Sequence, residues 1–122
     1  MSGQGRAVSV YNQTRGTFLA KRVEIADSFF SRLIGLLGRT SIQPDGGIWI
    51  LPANSIHTIG MMFRFDVVLI DKKYKVIGLR ERIPPFWLVL PNFRAESVIE
   101  VASNSIRKSR TEVGDQLQIE KS

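Results

Sequence analysis

A chain of 122 residues with 43% hydrophobic and 23% charged residues has the length and composition of one ordinary globular domain, not of a disordered segment. It has no cysteine, which excludes disulfides, thiolate zinc sites and cysteine nucleophiles. Its single histidine, His57, excludes a multi-histidine metal site within one chain. The net charge of +6 raises the prospect of an acidic partner, and the distribution of that charge along the chain decides how far the prospect goes.

Residues 1–16 are polar, with no apolar core of the kind a signal peptide carries. No apolar run approaches the ~20 residues of a spanning helix. A cytoplasmic protein without a membrane span is expected. Ala7–Tyr11 and Thr17–Ile25 show partial alternation around the turn-forming Asn12–Gly16, which predicts a hairpin, and residues 17–122 then form the body of a single domain.

Asp27 supplies a cap oxygen for an amphipathic helix over about 28–37. Phe29, Leu33 and Leu36 share one face of it, and Gly38 marks its stop. Pro44-Asp45-Gly46-Gly47 signals a turn and Ile48–Leu51 a short strand ended by Pro52. Asn54–Thr58 reads as a loop or a single helical turn. Phe65–Ile70 is apolar on both alternating faces, the mark of a central strand covered on both sides. Lys72-Lys73 turn the chain, and Tyr74–Ile83 returns as the partner strand.

The FWLVL segment, Phe86–Leu90, lies between prolines at 85 and 91 and fits a buried strand or an apolar loop tip. Ser97–Ala102 reads as a strand, Ser103–Arg110 as a polar helical turn and Gln116–Glu120 as the closing strand. The expected class is α+β, mainly antiparallel β: about eight short strands in a compact barrel- or sandwich-like sheet, with one helix and small helical turns.

Candidate chemistry gathers between His57 and Asp71. His57 alone titrates near neutrality, so it can act as a general base or can bond nearby backbone and fix its loop; the structural role is preferred. Asp66 shares a strand face with Val68 and Ile70. A carboxylate on an apolar face needs main-chain amides, a hydroxyl or a cation to satisfy it, which makes Asp66 a hydrogen-bond hub or a site residue. Glu100 lies in SVIEVA between apolar neighbours and poses the same question. Convergence of Asp66 and Glu100 would split their pKa values as acid–base chemistry requires. No cofactor or metal is expected, and phosphate-loop and nucleophile-elbow motifs are absent.

Lys72, Lys73, Lys75, Arg80 and Arg82 stand against Glu81 alone, and Arg107, Lys108 and Arg110 against Glu112. Both basic clusters, 72–82 and 107–110, fit a nucleic-acid face or a solvated surface. The latter is preferred, because aromatic platforms do not interleave with the charges. Trp87, beside Phe86, either covers the core or forms a docking patch for a protein partner.

Several of these motifs resemble, as a set, the domain-of-unknown-function 192 family. They are Arg32-Leu33-Ile34-Gly35-Leu36-Leu37-Gly38-Arg39, Gly47-Ile48-Trp49-Ile50, Ser55-Ile56-His57-Thr58-Ile59-Gly60-Met61 and Phe65-Asp66-Val67-Val68-Leu69-Ile70-Asp71, with Glu100 and the closing Gly114-Asp115. Departures are Leu37 for methionine, Tyr74 at a common turn glycine, and Ala102-Ser103 for Ala-Gly. The resemblance covers roughly residues 17–120. It implies a β-rich, barrel-like fold with small helices and brings no reaction with it. The expectation is a binding or accessory module whose cleft gathers His57, Asp66 and Glu100 over a floor of Trp49. A small hydrolase using His57 with a carboxylate is the alternative, and nucleic-acid binding through the basic clusters is another.

Overall fold

Alternating burial along Ala7–Asn12 forms β1: Val8, Val10 and Asn12 turn inward while their neighbours are partly exposed. The chain is described by a computed structural model covering residues 6–27, 42–53, 56–57, 63–84, 88–89 and 92–121, with backbone alone at 56–57 and 88–89. Through a turn that ends on Gly16 (φ 72°), β1 pairs antiparallel with β2 (Thr17–Ala26), the hairpin expected from the alternation. The amphipathic helix expected over 28–37 lies outside the described residues.

The third strand, β3 (Gly46–Ile50), begins two residues earlier than its apolar run suggested, so Gly46-Gly47 belong to the sheet and only Pro44-Asp45 to the turn. A close approach of backbones explains the glycine at 47. A β-carbon there would collide with the Glu100 carbonyl oxygen and lie 3.0 Å from Val101 Cγ1. Within a sheet expected to be mainly antiparallel, this strand makes one parallel pairing. It runs parallel to β2, with Arg22 opposite Gly46 and Ala26 opposite Ile50, and antiparallel to the strand on its other side. The segment 27–45 is long enough for the crossover that parallel neighbours need.

Residues Asn54–Thr58 contain β4 (Ile56–His57) in place of the expected loop or helical turn. Further on, β5 (Phe65–Ile70) is buried at every position, as an apolar run flanked by hydrogen-bonded strands must be, and β6 (Val76–Ile83) returns beside it. The connecting turn passes through Tyr74 at φ 65°. Tyrosine thus adopts the glycine-like conformation of that turn, and its ring packs edge-on against Trp49 at 5.6 Å.

Of the FWLVL segment, Leu88–Val89 form β7, which among the described residues pairs with β4 alone. The chain closes through β8 (Ser97–Ala102), a short helix α1 (Ser105–Ser109) and β9 (Leu117–Lys121).

Seven strands make one mixed sheet in the order β6-β5-β8-β3-β2-β1-β9, curled into a half-barrel, with β4 and β7 as a separate ribbon. The two edges meet at one corner. Lys75 bridges to Gln116, Val76 N–H donates to the Asp115 carbonyl at 2.9 Å, and Leu117 N–H to the Tyr74 carbonyl at 3.0 Å. Curling separates two apolar clusters. Val10, Leu19, Val68, Ile70, Ile99, Val101 and Leu117 fill the concave side with Ile106 of α1. Ile48, Ile50, Phe65, Val67, Leu69 and Val98 form the convex side. The protein is β-rich, and β1 is integral to its sheet, paired on both flanks.

Replacing Gly47 with alanine should destabilise the protein by about 1–3 kcal/mol, the usual cost of overpacking a tight contact. Urea unfolding of the variant beside the parent measures this directly; equal midpoints would show that β3 and β8 can separate freely.

Candidate functional site

Antiparallel register decides where the candidate carboxylates point. Asp66 of β5 lies opposite Val101, and Val67 opposite Glu100. Directly opposed residues project from the same face, and successive residues along a strand from opposite faces. Asp66 therefore enters the concave interior with Val101, while Glu100 projects from the convex side with Val67. Both are fully buried, and the sheet itself lies between their side chains. Trp49 is a concave-side core residue, 7% exposed, whose indole Nε1–H donates to Ser97 Oγ at 2.8 Å. It belongs to the core and not to the floor of an open cleft. His57 is placed in β4 opposite Leu88, its side chain outside the described residues. Phe86 and Trp87 lie outside them too.

Asp66 acts as a hydrogen-bond hub. One carboxylate oxygen accepts the Arg82 N–H at 2.8 Å and the other the Ile106 N–H at 3.0 Å. Arg82 sits in a register irregularity of β6, where pairing jumps from Phe65–Ile83 to Val67–Arg80, and its φ of 48° is left-handed. Ile106 lies in the first turn of α1, whose N-cap Asn104 makes no side-chain cap bond. Asp66 supplies the missing acceptor from the sheet. One buried side chain so fixes an edge-strand bulge and the seat of a helix.

A second polar network, not anticipated as a unit, joins β1, the β1–β2 turn, the end of α1 and the segment after it. Asn12 Nδ2 donates to Thr111 Oγ1 at 3.0 Å and to Asp115 Oδ2 at 2.9 Å. Arg15 Nε donates to Asp115 Oδ2 at 2.9 Å, and the Glu112 amide donates to the same oxygen at 2.9 Å. Ser109 and Thr111 hydroxyls lie 2.6 Å apart. Burial alone pushes the Asp115 carboxyl up, but hydrogen bonds from Arg15, Asn12 and Glu112, with the Arg15 charge, outweigh it and hold the group below its usual range. The Gly114-Asp115 pair at the closing turn was its one signal in the sequence.

The basic clusters divide. Lys72 and Lys73 occupy the β5–β6 turn, whereas Arg82 stands at the far end of β6, roughly 25 Å away at ~3.3 Å per residue. There Arg82 joins Arg107 and Arg110 of the second cluster in lining an open depression of about 400 Å³, with Glu81 and Glu112 on its rim. Another depression, of about 280 Å³, lies at the start of β3 between Arg22, Glu24, Gln43 and Asp45. Among the described residues no three His, Cys, Asp or Glu side chains gather as a metal-binding set, and no helix is long and apolar enough to cross a membrane.

A curled, mixed β-sheet with a buried aspartate joining an edge bulge to a short helix defines the structural class. The DUF192 family model, described as Uncharacterized ACR, matches residues 10–119, and the chain belongs to that family. Among curated relatives, a UPF0127 protein of Thermococcus sibiricus is 32% identical over 114 residues, spanning 89% of this chain and 73% of that one. A UPF0127 protein of Pyrococcus horikoshii is 27% identical over 115 residues, covering 89% and 96%. Two solved structures share the fold. A Sinorhizobium meliloti protein provisionally described as a transcription regulator aligns with a TM-score of 0.78 at 17% identity, over 93% of this chain and 92% of that one. A protein of unknown function from Novosphingobium aromaticivorans aligns at 0.71 and 17%, over 92% and 83%. At such identities the likeness shows the fold alone.

Replacing Asp66 with alanine strands two main-chain donors, one of them fully buried, and should cost about 3 kcal/mol, measurable by denaturant unfolding. Acid offers a separate check on Asp115. Its folded pKa lies below the unfolded value of ~3.9, so its contribution is complete above that value and is lost as the pH falls through the folded one. Melting temperature followed from pH 5 down to pH 2 should drop less steeply for Asp115→Asn than for the parent. Parallel curves would remove Asp115 from the acid response.

Proposed function

We propose that this protein is a binding or accessory module that acts without turnover. The observation that supports this reading best is the separation of its two buried candidate carboxylates. Acid–base catalysis by a carboxylate pair needs both groups at one cavity, with an oxygen able to give or take a proton from a bound substrate. Asp66 spends one oxygen on each of two main-chain amides, and Glu100 is on the other side of the sheet. A hydrolase reading is left with His57 and Glu100.

A nucleic-acid face running continuously from residue 72 to residue 110 draws less support. The lysines at the β5–β6 turn and the arginines beside α1 stand at opposite ends of one hairpin. The stretch over which charge concentrates is local and small.

Incubation of the protein with chromogenic carboxylic esters, phosphate monoesters and peptides tests the proposal. No turnover above background is expected. Turnover that disappears in both His57→Ala and Glu100→Gln would replace the module with the hydrolase.

A further inference from the structure

We propose that the depression between the end of β6 and α1 is a binding site for a compact phosphate-bearing ligand, held by Arg82, Arg107 and Arg110; this rests on the binding-module reading and names the ligand class. These arginines reach one depression from segments far apart in sequence. All three are exposed, and among the described residues none of them forms a salt bridge. Arg110 makes one long contact, 3.5 Å from Nη2 to the Arg15 carbonyl. The planar guanidinium fork suits the paired oxygens of a phosphate, and three forks around one depression suit a group with three free oxygens.

Backbone conformation supplies an independent observation. Arg82 and Arg110 both have left-handed backbones, with φ of 48° and 59°. A residue with a β-carbon is disfavoured there, and glycine or asparagine is the usual occupant of a bulge or helix C-cap of this kind. Arginine at both positions needs a reason that local geometry does not give. A requirement for the guanidinium at the depression gives one, since strained backbone tends to collect where a side chain must be presented.

The site is also held in advance of any ligand. Asp66 accepts the N–H of Arg82 itself and of Ile106, the residue before Arg107, so one buried carboxylate sets the spacing of the two arginine-bearing segments. Preorganisation of this kind spares a ligand the cost of ordering its own site. Of the rim acids, Glu112 is engaged by Arg15 at 3.2 Å, which removes part of its repulsion. Glu81 remains as the opposing charge and limits the site to ligands of high charge density. The three arginines gather at one end of the hairpin while the lysines stand at the other, a separation that favours a small phosphate-bearing molecule over a polynucleotide lying along the face.

Titration of the full chain with inorganic phosphate and then pyrophosphate, followed by amide NMR, tests this. Saturable shifts are expected at Arg82 and across residues 106–111. Arg82→Gly and Arg110→Gly should each melt at the parent temperature or above, because glycine relieves the left-handed backbone, yet bind roughly tenfold more weakly through loss of a charged hydrogen-bond donor. Glu81→Gln should tighten binding, and Lys72→Ala with Lys73→Ala should leave it unchanged. Absence of saturable binding of either anion, or binding indifferent to both glycine variants, would overturn the site. So would selective retention of an oligonucleotide that depends on Lys72 and Lys73. Loss of the phosphate site leaves the module reading standing, whereas turnover dependent on His57 and Glu100 sinks that reading and leaves the titration result intact.

Discussion

The carboxylate of Asp66 is fully buried in the concave side of the sheet, where its two oxygens meet two main-chain N–H groups at 2.8 and 3.0 Å. A carboxylate carried out of water must find hydrogen-bond donors or destabilise the fold, and amide N–H groups aimed at each oxygen provide them. The two donors belong to a bulge on an edge strand and to the first turn of a helix, neither of which is self-sufficient. The bulge places Arg82 at a left-handed φ, and α1 is five residues long with no side-chain cap of its own. Each irregularity is stabilised by the same side chain. The surface they carry, the arginine-lined depression, inherits its geometry from that buried contact.

A similar device operates where the sheet closes. Edge strands β6 and β9 meet through main-chain bonds around Tyr74, Val76, Asp115 and Leu117, and the Asp115 side chain gathers Asn12, Arg15 and the Glu112 amide at the same corner. A curled sheet exposes unpaired groups wherever its strands splay. Here buried or half-buried polar side chains take up those groups, one carboxylate at each irregular point. The apolar clusters supply cohesion without direction, whereas these hydrogen bonds prescribe which segments meet.

Much of the strand pattern was legible along the chain. Ser97–Ala102 was expected and found with the same limits, and Phe65–Ile70 was correctly read as a strand covered on both sides. Alternation and turn residues act over a few positions, which is why they show. Gly46-Gly47 misled, because a glycine pair reads as a turn unless the neighbouring backbone that excludes a β-carbon is known. The parallel pairing of β2 with β3 and the antiparallel pairing of β4 with β7 depend on contacts across long separations and leave no local mark. Asp66 was identified as a residue that must be satisfied; the amides of Arg82 and Ile106 that satisfy it are remote and could not be named.

The β-rich class, the family and the residues where polar chemistry meets apolar surroundings can be read along the chain, since composition, periodicity and motif spacing are local properties of it. Folding alone puts Asp66 and Glu100 on opposite faces, sets Lys72 and Arg82 apart, and brings Arg82 to Arg107 and Arg110. Strand register carries that decision. A shift of one residue reverses every side chain across a sheet, and register is set by pairing between distant strands.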